Sequence, residues 1–177
     1  MKDDKSFTFR LPLDLAKSLE SQCKEERTSL NNKIQQILRF YYVWQKPIGG
    51  ASIMPINKTF HQKTLTKISE KEVSEIASDV IPQVLKNIIA FRGRSFNIES
   101  LLEQIEEYFK ICQFGFVHSV ENKEHKFVIV HNMGKNYSIY LQSSLNPSFN
   151  ELGHRLIDLN ITDTTCSFKI INSNSET

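Results

Sequence analysis

A chain of 177 residues with 40% hydrophobic content holds enough material for one medium domain or two small ones. A formal net charge of +2 excludes a polybasic nucleic-acid coat, and no apolar run reaches the length that a bilayer crossing needs. Cys23, Cys112 and Cys166 are odd in number and far apart, which fits small buried side chains in a reducing, cytoplasmic setting better than a disulfide framework.

In chain order, Ser6-Phe7-Thr8-Phe9-Arg10-Leu11 alternates polar and apolar residues, the period of a strand with one buried and one open face. Pro12 ends the strand and suits the first turn of a helix, where its missing N–H costs nothing. A lone strand leaves its backbone donors and acceptors unpaired. A second copy of the chain supplies the partner most economically, giving a two-stranded antiparallel ribbon that fits the major groove of DNA. A helix is predicted over 12–26, burying Leu15, Ala16, Leu19 and Cys23. Another begins after Thr28-Ser29, either of which is a good N-cap, with Leu30, Ile34, Ile37, Leu38, Tyr41 and Tyr42 on one stripe. So short a segment has too little core to fold alone, and a shared dimer core is expected from Phe7, Phe9, Leu11, Leu19, Ile34 and Leu38.

Over about residues 5–45 this pattern resembles the ribbon-helix-helix family of DNA-binding proteins, the Arc and MetJ class. The resemblance rests on the strand alternation, Pro12, the helix lengths and the Thr28-Ser29-Leu30-Asn31 start of the second helix. It implies that the outward strand side chains Ser6, Thr8 and Arg10 read bases. It also implies that Thr28, Ser29 and the amides of Leu30 and Asn31 hold phosphate. Elementary chemistry agrees with both roles: Arg pairs bidentately with guanine, and a helix N-terminus offers free N–H groups to an anion. Arg27 stands where many members carry Gly, so the tight left-handed turn is either lost or taken at a cost. Through Lys46 there are nine Lys/Arg against six Asp/Glu, a balance of +3, and the remainder balances at −1. Strand and helices could instead be an ordinary piece of an α+β domain; the lack of a nearby strand partner favours the ribbon.

Periodicity fades over 46–68, from Lys46-Pro47-Ile48-Gly49-Gly50 onward, and this stretch is read as a linker with some ordered contacts. Ser69-Glu70-Lys71-Glu72 has capping-box form and opens a helix in which Pro82 is expected to kink or restart the apolar stripe. Arg92-Gly93-Arg94 ends it, and a strongly amphipathic helix follows over 98–112. Segments 114–120 and 125–131 read as a hairpin. Gly134 turns the chain into a helix over 135–144, which Asn146-Pro147-Ser148 interrupts. Segments 155–161 and 165–171 close the domain as strands, and 172–177 form a tail. The fold class is therefore α+β. A ribbon-helix-helix dimerisation module over 1–45 precedes an α-α-β-β-α-β-β domain with an antiparallel sheet over 69–171.

With Asn122-Lys123 at the hairpin tip, Val120 pairs with His125 and His118 with Phe127. Phe114, Phe116, His118, Val120, His125, Phe127, Ile129 and His131 then share one face. His118 and His125 become diagonal neighbours at roughly 7–8 Å, the nearest approach to a metal site, though a third ligand would have to come from elsewhere. A packed histidine is favoured over a metal ligand, so neither metal nor other cofactor is expected. The glycine and lysine before Tyr137 lack the spacing of a phosphate loop. No catalytic set emerges, and an enzyme is not expected. The reading is a homodimeric, sequence-specific DNA-binding transcriptional regulator whose C-terminal domain modulates binding. Its partners are double-stranded DNA, itself, and an effector or protein for the second domain, with no membrane. The rival is an antitoxin-like or assembly protein whose C-terminal domain binds a protein.

Overall fold

The computed structural model describes residues 5–46, 54–122 and 124–173. The expected break around Pro47–Gly50, the Lys123 half of the hairpin tip and the last four residues of the tail lie outside the described residues. The chain divides into two compact units, Met1–Lys46 and Pro47–Thr177.

The first unit contains two helices, α1 (Leu13–Glu25) and α2 (Leu30–Phe40), followed by a π-helical turn over Tyr41–Gln45. Residues 5–12 carry no regular secondary structure, and the sheet described below includes none of them. The expected strand thus has no ladder within one chain, since its backbone finds no second strand there. The left-handed turn after α1 is present: Arg27 takes φ 51°. Its N–H reaches Lys24 O, and Thr28 N–H reaches Cys23 O, the two bonds of a Schellman close. A non-glycine residue therefore pays the steric cost of that conformation.

The second unit contains α3 (Lys58–Leu65), α4 (Glu70–Phe91), α5 (Ile98–Ile111), β1 (Gly115–Glu121), β2 (Glu124–Val130), α6 (Lys135–Glu151), β3 (His154–Ile161) and β4 (Thr165–Asn172). The expected linker over 46–68 holds a helix, which corrects that reading. Asn57 caps α3 through Phe60 N, buried Leu65 anchors it, and Asn136 Nδ2 donates to the Leu65 and Ile68 carbonyls at its end. The expected interruption at Asn146-Pro147-Ser148 is also corrected, and of the two outcomes expected at Pro82, a kink or a restart, the restart does not occur. Pro82 and Pro147 lie inside continuous helices. In α4 the buried residues Val73, Ala77, Leu85, Ile88 and Ile89 keep one face across Pro82, and in α6 Leu141, Leu145 and Phe149 do so across Pro147. Packing on an unbroken face outweighs the single backbone bond each proline removes.

The sheet is antiparallel with order β1-β2-β4-β3. Its hairpin pairs Val120 with His125 and His118 with Phe127, the register that the turn position predicts. Phe127, Ile129, Cys166, Phe168 and Ile170 are buried on one face, while Val117, Lys126 and Val130 on the other are exposed. Phe109 of α5, Phe149 of α6 and Ile89 of α4 complete a core that is fully enclosed by this unit. Asn172 belongs to β4, so the tail begins one residue later than expected. All three cysteines are free thiols.

Candidate nucleic-acid interface

Ser29 begins α2 as its N-cap, its hydroxyl accepting from Asn32 N at 3.2 Å. The next amides, those of Leu30 and Asn31, precede any residue that could accept from them within the helix. The first turn of α2 contains no acidic residue of its own. Thr28 is half-buried, while Ser29, Leu30 and Asn31 are exposed. The approach to this corner is fixed from both sides. Glu26, just past α1, accepts from Lys33 of α2 at 2.7 Å and from Gln22 at 2.9 Å. The hydrogen bond from Lys33 leads in holding the Glu26 carboxyl below its ordinary value.

Ser6, Thr8 and Arg10 are exposed. The residues expected to alternate with them are also uncovered in one chain: Phe7 is 67% exposed and Phe9 is 54% exposed. Lys5 lies over the Phe7 ring at 5.6 Å from its centroid. Leu11 and Leu38 are exposed too, whereas Leu19 and Ile34 are half-buried. Among the residues of this unit whose side chains are described, Cys23 alone is buried. The dimer core expected from the sequence is thus not assembled within one chain.

In the second unit the hairpin register makes His118 and His125 diagonal neighbours, and their rings meet. His118 Nε2 and His125 Nδ1 lie 2.9 Å apart, a hydrogen bond between the two rings. The third member is Glu106, a helix carboxylate of the kind that could join the pair, though the sequence does not identify its position; its Oε1 lies 2.6 Å from His118 Nδ1. The signal available was its place on α5, between the buried pair Leu102–Ile105 and buried Phe109. Among the described residues no group of three or more His, Cys, Asp or Glu side chains is placed to hold a metal ion.

His131 is separate and buried. Met133 N–H donates to its Nδ1 at 3.0 Å, which leaves Nε2 to donate to Ser138 Oγ at 2.8 Å. Ser138 in turn donates to the Thr162 and Thr165 carbonyls, tying the end of β2 to α6 and the β3–β4 turn. Burial, with Lys58 adding to it, pushes His131 down to about 4. Another, part-buried pair is Tyr108 and Tyr137, whose hydroxyls meet at 2.7 Å, while the His61 ring lies edge-on to the Tyr137 ring with centroids 5.8 Å apart. Burial raises both phenols and lowers His61. Gly134, at φ 88°, leads into α6 beside a cavity of about 560 Å³ lined by Gln62, Thr66, Asn132, Lys135 and Asp163. Lys135 is already paired with Glu70, and Asp163 adds the opposite charge, so the cavity has no dominant sign.

No known protein family matches this chain, and no curated protein or solved structure matches it either.

Proposed function

We propose that the protein is a homodimeric, sequence-specific DNA-binding regulator. In this reading the 5–12 segments of two copies pair as a ribbon that enters the major groove, and the C-terminal unit modulates binding. The observation that carries it is the number of apolar side chains that the first unit leaves exposed. Phe7, Phe9, Leu11, Ile37 and Leu38 are all exposed, on a body with one buried residue among those whose side chains are described. A second copy offering the same residues would cover these side chains and give the 5–12 backbone its partner strand. The ribbon would then turn Ser6, Thr8 and Arg10 outward together, because side chains alternate along a strand. Two copies of the α2 start, whose first turn carries no acidic residue of its own, would grip the flanking phosphates.

Selection of bound duplexes from a random pool by the full-length protein tests this directly. A recovered site with two-fold symmetry supports it. A pool that stays random at the salt where binding is measurable rejects sequence reading, since phosphate contacts alone carry no sequence information.

A further inference from the structure

Glu106, His118 and His125 form one continuous hydrogen-bonded chain from α5 into the hairpin. The His118 ring stacks on Phe127, with centroids 4.1 Å apart and planes 12° apart. Lys110 Nζ lies 3.7 Å from the other carboxylate oxygen of Glu106. An ionised carboxylate can only accept, so it fixes a proton on His118 Nδ1. His118 Nε2 is then an acceptor, and the proton between the rings belongs to His125 Nδ1. Both imidazoles are thereby held as Nδ1–H tautomers, with a bare lone pair left on His125 Nε2.

We propose that these three side chains are a proton-operated latch between α5 and the β1–β2 hairpin, closed with one added proton and opened by a second. The first proton has a vacant site on His125 Nε2. The His125 Nδ1–H bond to His118 survives that step and becomes charge-assisted. A second proton, on His118 Nε2, would remove the acceptor on which the bond between the rings depends. The facing charges are Glu99, Glu106 and Lys110 from α5 and His154 from β3. Beside His125, β1 offers Val120 and β4 offers Ile170, both apolar. Burial, then His118 and His154, hold His125 below the ordinary imidazole value, while Glu99 opposes them. His125 is accordingly harder to charge than a free imidazole, and the latch works in acid. It rests on the C-terminal unit alone, so its failure and a failure of DNA reading are separate outcomes.

In ¹⁵N-labelled full-length protein at pH 8, imidazole nitrogen shifts should report His118 and His125 both as Nδ1–H. Glu106→Ala should release His125 from that tautomer. Amide exchange reads the opening. Between neutral and acid pH, β1 protection should fall at least about tenfold more in the wild type than in His118→Phe, which keeps a ring on Phe127 without a basic nitrogen. A wild-type His125 found as Nε2–H overturns the latch without any variant. Equal pH dependence in wild type and His118→Phe overturns it as well.

Discussion

The two units differ in where their apolar side chains go. Between Pro47 and Thr177 the helices and the sheet enclose Phe109, Phe127, Phe149 and Phe168 almost completely. In the first unit phenylalanines at positions 7 and 9 face solvent, and Cys23 is the one buried residue among those whose side chains are described. Both units have strongly amphipathic helices, so amphipathicity alone does not build a core; a second apolar surface must be present to receive it. The C-terminal unit supplies that surface from its own sheet. The N-terminal unit exposes its apolar side chains without supplying a receiving surface of its own, the condition under which a short module depends on association.

The sharpest way to break this contrast is to charge one of those side chains. Under the dimer proposal Leu38→Asp, at a residue 44% exposed in one chain, buries an unpaired carboxylate and costs about 3–5 kcal/mol. Sedimentation of the full-length variant should then show monomer, while amide exchange in β1–β4 stays unchanged. Were Leu38 merely a surface residue, the cost would stay within about 0.5 kcal/mol and the oligomeric state would not move.

A pH titration of stability probes the other side of the comparison. His131 is held at about 4 against an ordinary value of 6.5, so the unfolded chain takes up a proton first as pH falls. The contribution is complete above 6.5, declines between 6.5 and about 4, and falls no further below that. The full difference amounts to about 3 kcal/mol. His131→Asn keeps an acceptor for Met133 N–H and should flatten the slope of unfolding free energy across that window. An unchanged slope would assign the acid sensitivity to His61 or His125, which burial also lowers.

These contrasts mark what could be read in advance. The hairpin register was legible because a period of two and a two-residue turn leave one pairing that puts Phe127 and Ile129 inside. The Ser29 cap and the capping box at Ser69–Glu72 were legible because capping is local chemistry. Helix α3 was not, since Phe60 faces solvent and its anchors, Leu65 and the Asn136 amide, act through tertiary contact. The interruption expected at Pro147 failed for the same reason: local propensity ends a helix that long-range packing continues. Of the candidate interface, the residue types were legible, but the exposed state of Phe7, Phe9 and Leu38 needed coordinates. Glu106 lay beyond local rules altogether, because its partner is twelve residues on, in another element.

Within the DNA proposal, Arg10 separates base reading from simple attraction. Arg10→Ala should cost about 1–3 kcal/mol on a selected site and much less on random duplex. Equal losses on both, measured by titration at one salt concentration, would turn Arg10 into a phosphate contact and leave Ser6 and Thr8 as the readers.

Ser29→Ala asks for the smallest change. The hydroxyl of Ser29 holds Asn32 N at 3.2 Å, and without it another first-turn amide of α2 is left to water. Capping losses of this kind are typically about 1 kcal/mol, taken from the stability of the N-terminal unit. Binding should weaken by a similar factor on every duplex, because a phosphate contact positions the protein without telling one base from another. The C-terminal unit should unfold as before. A loss confined to the selected site would contradict the phosphate role, and would mean that the α2 corner sets the register of the ribbon in the groove. A normal affinity in a measurably less stable protein would leave Ser29 as a cap alone and move the phosphate contact to Thr28 or Asn31.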